Sequence, residues 1–142
     1  MIALASDHGG YDLKIAVEKH LEERGFEYRD YGCHSKESCD YPVFAKEAAN
    51  AVAAGSCDRG IVICTTGIGI SIAANKVKGI RCALCTSLNQ AEMTRLHNNA
   101  NMLALGASTV SEELAIEIVD RFLDTAFSNE ERHQRRINLI EE

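Results

Sequence analysis

Short apolar runs alternate with longer segments of helical periodicity along the whole chain. Strands are predicted over residues 2–5, 26–31, 60–64, 80–85 and 102–105. Helices are predicted where apolar residues recur every three or four positions, over residues 11–24, 43–54, 71–76, 88–98 and 111–127. Such alternation predicts an α/β fold: a doubly wound five-stranded parallel sheet with helices on both faces, as in flavodoxin-like and Rossmann-like three-layer sandwiches.

The chain, residues 1–142, is predicted to form a single domain. Its length matches the commonest domain size, and it contains one proline and no recognisable linker or repeat. In doubly wound sheets, ligands bind beyond the carboxyl ends of the strands. The loops that follow the predicted strands are therefore the first places to look for a site.

The charge balance narrows the classes of partner. Fifteen Lys and Arg against 21 Asp and Glu give a net charge of −6 and a pI of about 5.4. This acidity argues against nucleic acid and anionic membranes as partners, whereas one small anion needs only a few local cations. The longest uncharged stretch, residues 60–75, is too short to span a membrane. No secretory pattern opens the sequence, so we expect a cytoplasmic protein.

The six cysteines are expected to be reduced thiols. Cys82 and Cys85 form a C-x-x-C pattern, but in a strand these positions point to opposite faces and lie about 10 Å apart. No second cysteine pair and no paired histidines complete a zinc site. We therefore expect neither a disulfide nor a metal.

The loop after the third predicted strand carries the most information. It runs from Cys64 through Thr66, Gly67 and Gly69 into a predicted helix. Glycines allow close backbone approach, and a helix N-terminus offers free N–H donors to an anion. A thiolate at Cys64 would lie near that positive field. The same pattern also fits a tight strand–helix turn with a buried structural cysteine.

Other polar groups stand near predicted strand or helix ends. Asp7 and His8 follow the first strand and could bind a polar ligand. Alternatively, Asp7 is an N-cap and His8 is a solvated histidine. His97 could transfer protons, although the asparagines that follow it are also common in caps and turns. If the tail is helical, Arg132 and Arg136 share one face and could bind a phosphate. Alternatively, they belong to a solvated run of charged residues.

Taken together, these segments resemble one family of enzymes. The matching segments are residues 6–10, 40–42, 60–64, 66–76, 79–81, 97–98 and 100–101, with Arg132, His133 and Arg136. They cover almost the whole chain in order. The chain resembles the sugar-phosphate isomerases, the family that contains ribose-5-phosphate isomerase type B and the galactose-6-phosphate isomerase subunits.

The resemblance implies interconversion of ribose 5-phosphate and ribulose 5-phosphate through a cis-enediolate, with no metal and no cofactor. A six-carbon substrate, allose 6-phosphate or galactose 6-phosphate, is the alternative within the same chemistry. A non-catalytic sugar-phosphate binding module on the same fold is a second alternative. Binding alone would require no base, so the presence of Cys64, Thr66 and His97 favours the enzyme.

The resemblance also implies residue roles. Cys64 would be the base that moves a proton between C1 and C2, and Thr66 would pass a proton between O1 and O2. His97, together with Asp7, would open the furanose ring. The enediolate would be stabilised by backbone N–H groups of the loop after Cys64, at Gly67, Ile68, Gly69 and Ser71. The phosphate and sugar would be held by His8, Tyr41, Asn98, Arg132 and Arg136.

In this family the site lies at a dimer interface. The resemblance therefore implies a homodimer with shared active sites, which could pair further into a tetramer. The tail, residues 129–142, is expected to pack on the partner subunit. Two positions depart from the family pattern. Thr65 replaces the usual glycine and could narrow the site, and Asn99 stands where the family often has aspartate beside His97.

Overall fold

The computed structural model describes residues 1–142 and contains one five-stranded parallel sheet with the order β2-β1-β3-β5-β4. The strands are β1 (Ile2–Ser6), β2 (Tyr28–Asp30), β3 (Arg59–Cys64), β4 (Cys82–Leu84) and β5 (Met102–Gly106). The helices are α1 (Tyr11–Glu23), α2 (Tyr41–Ala53), α3 (Ile68–Asn75), α4 (Leu88–Asn98), α5 (Glu112–Asp124) and α6 (Glu131–Ile140). The predicted fold class is confirmed.

Side chains alternate along each buried strand, so apolar side chains point to both faces of the sheet. Helices cover both of these apolar faces. In β1, Ile2 and Leu4 belong to one core, whereas Ala3 and Ala5 belong to the other. The first core packs against α1, α4 and α5. The second packs against α2 and α3, whose buried residues are mainly alanines that allow a close helix–sheet approach.

Several predicted boundaries were wrong for local reasons. Helix α3 begins at Ile68 rather than at residue 71, because left-handed Gly67 (φ 78°) ends the turn directly before it. Helix α2 begins at Tyr41, two residues early, with Pro42 in its first turn, where a missing N–H costs nothing. The charged tail, for which no element was predicted, forms α6.

The strand order separates two edges of the sheet. The chain passes from β1 to β2 on one side and then returns to β3 on the other, so the loops after β1 and β3 diverge at a switch point. The carboxyl ends of β3 and β5 are level, since Cys64 pairs with Gly106. Helix α4 leads into the amino end of β5, so Asn98 and its neighbours lie at the opposite edge.

A buried ion cluster joins α1 to β2. Lys14 is fully buried and donates to Asp30 Oδ1 at 2.7 Å and to the carbonyl of Cys33. Glu18 lies beside Asp30, and burial, followed by the hydrogen bond and charge of Asp30, raises the pKa of Glu18 to about 8. One lysine thus faces two carboxyl groups that share a proton at neutral pH.

Replacing Glu18 with glutamine is expected to remove part of the pH dependence of stability. Because the folded-state pKa of Glu18 is raised from 4.5 to about 8, the native state loses stability as pH rises through this window. Glu18→Gln should therefore raise the Tm at pH 8.5 by about 2–5 °C, after allowance for solvent screening of a half-buried carboxyl. At pH 5 the two proteins should melt alike. Thermal melts of the matched variant Glu23→Gln, on the exposed face of α1, provide the control.

An equal Tm increase for Glu18→Gln at both pH values would contradict this assignment. A pH-dependent increase in the Tm of Glu23→Gln, equal to that of Glu18→Gln, would contradict it as well.

Candidate active site

Cys64 is the last residue of β3, and its thiol lies at the carboxyl edge beside the start of α3. Cys64 is 5% exposed, and its Sγ accepts a hydrogen bond from the Gly67 N–H at 3.1 Å. The carbonyl of Cys64 accepts from the Ala107 N–H at 2.9 Å, which fixes the turn against the loop after β5. The sulfur is thus held by one backbone donor in the turn that leads into α3.

Gly67 is required at the turn for two reasons. Its φ of 78° is left-handed, and a Cβ there would lie 2.6 Å from Leu84 Cδ1 and 2.9 Å from the Gly106 nitrogen. A side chain would push α3 away from the sheet edge. Gly67 therefore sets the distance between the thiol and the first turn of α3.

The first turn of α3 keeps two amide donors without an acceptor in the chain. The Ile68 N–H donates to Thr66 Oγ1 at 3.2 Å, and the Ser71 N–H donates to a carbonyl one turn earlier, also at 3.2 Å. The N–H groups of Gly69 and Ile70 have no such partner. The Gly69 N–H is thus free to donate to a ligand, as predicted. The Ile70 N–H is free as well, although it was not among the predicted donors. The Ser71 N–H already donates within the chain.

The loop after β1 lies directly beside the Cys64 turn. Asp7 is buried, and its Oδ1 accepts from the Gly10 N–H at 3.0 Å, so the N-cap interpretation of Asp7 holds in the chain by itself. The Asp7 N–H donates to the Ile63 carbonyl at 3.2 Å and ties this loop to β3. Both connections keep the loop after β1 at the switch point.

His8 is exposed and oriented by the segment before α2. Its Nδ1 accepts from the Cys39 N–H at 3.3 Å, so Nε2 carries the proton in the neutral ring and can donate to a ligand. The Cys39 sulfur lies 3.9 Å from the same Nδ1, and burial raises the pKa of the Cys39 thiol. Cys39 was not predicted to take part, and no local pattern marks it.

Tyr41 closes the site on the α2 side. Its ring packs on Gly69, where a Cβ would lie 2.6 Å from the ring Cζ. The ring is 37% exposed, and its hydroxyl makes no hydrogen bond within the chain. We call Asp7, His8, Tyr41, Cys64 and Thr66, with the first turn of α3, the carboxyl-edge group.

Four predicted site residues lie elsewhere, and we call them the amino-edge group: His97, Asn98, Arg132 and Arg136. The ring of His97 stacks on that of His133 with centroids 4.3 Å apart. Burial, and then the charge of His97, lower the pKa of His133. This contact between α4 and α6 fixes the His97 ring, and the sequence gives no spacing that predicts it.

The two tail arginines share one face of α6, as predicted, and both are exposed. Arg132 approaches Glu130 Oε2 at 3.3 Å, whereas Arg136 forms no ion pair. Asn98 is also exposed, and its carbonyl accepts from Arg81 Nε at 3.0 Å. The amino-edge group therefore offers two guanidinium groups that can bind an anion.

One chain does not bring the two groups together. His97 precedes the amino end of β5, whereas Cys64 is level with Gly106 at the carboxyl end of that strand. Four residue steps of a strand separate those ends by about 13 Å. The largest cleft, of about 640 Å³, contains Asn98 and Arg81 and not Cys64. The predicted residues thus form two separate half-sites.

The two departures from the family pattern have local explanations. Thr65 is not among the residues with positive φ, so its backbone needs no glycine. Asn99 has φ 44°, which asparagine tolerates, and its Oδ1 accepts from Arg95 Nη1 at 2.8 Å. Burial, followed by the charges of Arg59 and Arg81, lowers the pKa of Arg95 to about 10. Asn99 therefore supplies a hydrogen-bond acceptor to the buried Arg95.

All six cysteines are free. No group of three or more His, Cys, Asp or Glu side chains is arranged to hold a metal ion. None of the helices combines the length and apolarity needed to cross a membrane.

The open parallel sheet with this strand order belongs to the doubly wound α/β proteins, whose ligands bind beyond the carboxyl ends of the strands. The family model described as Ribose/Galactose Isomerase matches residues 2–140, and the chain belongs to this family. Ribose-5-phosphate isomerase B of Escherichia coli (strain K12) is 48% identical over 139 residues, which are 98% of this chain and 93% of that protein.

Solved structures agree with this assignment. Ribose-5-phosphate isomerase B of Clostridium thermocellum superposes with a TM-score of 0.97 at 53% identity, covering 99% of this chain and 94% of that one. Ribose-5-phosphate isomerase B of Mycoplasma genitalium, solved with bound ribulose 5-phosphate, has a TM-score of 0.94 at 44% identity and covers 99% and 93%. The similarity therefore extends over whole chains.

Proposed function

We propose that this protein interconverts ribose 5-phosphate and ribulose 5-phosphate through a cis-enediolate. The observation that carries the proposal is the Cys64 thiol, buried at the strand end and hydrogen-bonded by the Gly67 N–H, beside two free amides. The names of the E. coli and C. thermocellum relatives support the substrate, and so does the ribulose 5-phosphate bound to the M. genitalium relative. Free thiols suit the reducing cytoplasm, where we expect the reaction to occur.

In the proposed reaction, the Cys64 thiolate removes the proton from C2 of the open-chain aldose. The electron pair of the C–H bond forms the C1–C2 double bond, and negative charge develops on the carbonyl oxygen at C1. The O2 proton moves to O1, and the thiol, whose proton exchanges with solvent in part of the turnovers, then protonates C1. C2 becomes the carbonyl carbon of the ketose, and the thiolate is regenerated. No atom is lost, so the reaction needs no co-reactant.

The developing oxyanion would be stabilised by the Gly69 and Ile70 N–H groups. They are fixed at the helix N-terminus before the charge forms, so little reorganisation is needed in the transition state. Thr66 would pass a proton between O1 and O2 of the enediolate. Its hydroxyl is held beside them by the Ile68 N–H. The Gly67 and Ser71 N–H groups already donate within the chain, so we expect them to stabilise the turn rather than the oxyanion.

Ring opening and phosphate binding need the amino-edge group. His97 would donate a proton to the ring oxygen of the furanose, assisted by Asp7, and Asn98 would contact the sugar, as would Tyr41. His8, Arg132 and Arg136 would bind the phosphate, which supplies remote binding energy for the reacting carbons. Because the two half-sites lie at opposite edges of one chain, a second copy must complete each site.

We infer a two-fold homodimer in which each copy gives its carboxyl-edge group to one site and its amino-edge group to the other. Two-fold symmetry then generates two equal sites. Exposed apolar side chains beside Cys64 support this arrangement. Ile68 and Ile72, on one face of α3, are 53% and 56% exposed, and Val43 of α2 is 54% exposed. A partner subunit whose charged tail packs here would cover these apolar side chains and would also exclude water from the site.

Mixed dimers test this arrangement. Cys64→Ala and His97→Asn should each be nearly inactive alone, because each removes one component from both sites. Unfolding, mixing and refolding equal amounts should restore about a quarter of wild-type activity, since half of the dimers are mixed and each has one intact site. Coupled turnover assays of the mixture measure this recovery.

The matched control mixes Cys64→Ala with Thr66→Ala, whose changes lie on the same edge. No mixed dimer of that pair contains an intact site, so no activity should return. Failure of the Cys64→Ala and His97→Asn mixture to recover activity, although mixed dimers form, would contradict the shared site.

Turnover of a panel of sugar phosphates tests the proposed substrate. Ribose 5-phosphate should give the highest kcat/KM, ahead of allose 6-phosphate and galactose 6-phosphate. Higher turnover of a six-carbon substrate would replace the first choice with the second. Binding of sugar phosphates without any turnover would instead support a non-catalytic module.

A further inference from the structure

Thr65 carries an unused side chain between the base and the phosphate-binding histidine. It directly follows Cys64, it is exposed, and its hydroxyl makes no hydrogen bond within the chain. A Cβ at Gly9, beside His8, would lie only 2.1 Å from Thr65 Oγ1 and 3.4 Å from Asp7 Oδ1. The Thr65 side chain therefore occupies the gap between the loop after β1 and the Cys64 turn.

The backbone of Thr65 is held rigidly. Its carbonyl accepts two hydrogen bonds from Ser108, one from the N–H and one from the hydroxyl, both at 2.8 Å. The residues on either side are fixed as well, by the bond from Ala107 to the Cys64 carbonyl and by the Ile68 N–H, which donates to Thr66 Oγ1. The side chain of Thr65 consequently cannot move aside through a shift of its own main chain.

We propose that Thr65 is a specificity-determining residue whose volume limits the sugar phosphate to five carbons. The proposal rests on the proposed function, in which the substrate runs from C1 and C2 at Cys64 to a phosphate at His8. Thr65 lies between these two ends, alongside the carbons that join them. Its side chain, whose hydroxyl packs against Gly9, fills the space into which a longer chain would bulge.

The proposed substrate site has two defined ends. The thiol is anchored at the end of β3, and His8 is oriented by the Cys39 N–H, so both ends of the proposed site have a defined position. A six-carbon phosphate has one more CHOH group between the same two points. Even one extra methylene changes kcat/KM by about 10–200-fold in a hydrophobic pocket, and a CHOH group is larger.

Shortening Thr65 should relax this limit. In Thr65→Ala, the ratio of kcat/KM for allose 6-phosphate to that for ribose 5-phosphate should rise by about tenfold or more. Ribose 5-phosphate turnover, measured in the same preparation, reports that the variant is folded. Thr65→Val keeps the shape without the hydroxyl, so its ratio should stay close to that of the wild type.

A second variant refills the space from the opposite side. A methyl at Gly9 would project to the place that Thr65 Oγ1 occupies, and the φ of Gly9 is not left-handed, so alanine fits the backbone. Gly9→Ala alone should be damaging because of the 2.1 Å approach. The double variant Gly9→Ala/Thr65→Ala should tolerate the methyl and return the ratio toward the wild-type value.

The outcomes separate this proposal from the proposed function. An unchanged ratio in Thr65→Ala, with ribose 5-phosphate still turned over, would overturn the role of Thr65 and leave the isomerase intact. A rise in Thr65→Val equal to that in Thr65→Ala would assign discrimination to the hydroxyl and overturn the volume argument. Absence of ribose 5-phosphate turnover in the wild type would instead reject the proposed function.

Discussion

Cys64→Ala is expected to lower kcat for ribose 5-phosphate by about 10³–10⁴-fold, at the upper end of the range for loss of a general base. The methyl group cannot accept the C2 proton, and the other groups of the carboxyl-edge group are not positioned as substitutes. Asp7 is bonded to the Gly10 N–H, and the Thr66 hydroxyl is too weak a base. Coupled assays of ketose formation measure the loss.

Phosphate-ester binding should survive in Cys64→Ala, because His8, Arg132 and Arg136 are unchanged. Calorimetric titration with ribulose 5-phosphate should give a Kd close to that of the wild type. Cys57→Ala is the matched control, since Cys57 is also a buried free thiol but precedes β3 at the opposite edge. Near-wild-type turnover in Cys64→Ala, or an equal loss in Cys57→Ala, would contradict the assignment of the base.

Replacing both Arg132 and Arg136 with alanine is expected to raise KM for ribose 5-phosphate by about 100-fold or more. Each guanidinium forms charge-assisted hydrogen bonds to phosphate, and the loss of one typically costs about 1.5–3 kcal/mol. Both side chains are exposed and neither holds a strong ion pair, so the fold should be little affected. Steady-state kinetics over a wide substrate range measures the change in KM.

Arg135→Ala provides the control on the same helix. Arg135 lies next to Arg136 in α6 and lines a shallow pocket with Glu131 and Asn138. This variant should keep the wild-type KM although it removes the same charge. An unchanged KM in Arg132→Ala/Arg136→Ala would remove the two arginines from the phosphate site. An equal effect of Arg135→Ala would reduce their role to general electrostatics.

The fold was predictable because its three central strands, β1, β3 and β5, are buried on both faces. Continuous apolar runs such as residues 60–64 have few alternatives in a chain of this length, and the helices between them require parallel strands. Element boundaries were less predictable. The start of α3 depends on the left-handed Gly67, and periodicity does not indicate which of two neighbouring glycines ends a turn.

The carboxyl-edge group was predictable for a topological reason. Loops after parallel strands meet at one edge, so Asp7 and Cys64 had to be neighbours. The same rule indicates that His97, which precedes a strand, lies at the other edge. What the sequence does not reveal is the side-chain contacts made in three dimensions: the His133 stack, the Cys39 bond to His8, and the packing of Thr65 on Gly9.

The most direct test of the account is proton exchange at the reacting carbons. Ribose 5-phosphate incubated with the wild-type protein in D₂O should acquire deuterium at C2, and the ribulose 5-phosphate formed should acquire it at C1, as followed by proton NMR. Cys64→Ala should bind the same sugar phosphate and exchange neither position. Exchange at the wild-type rate in Cys64→Ala would contradict proton transfer by Cys64.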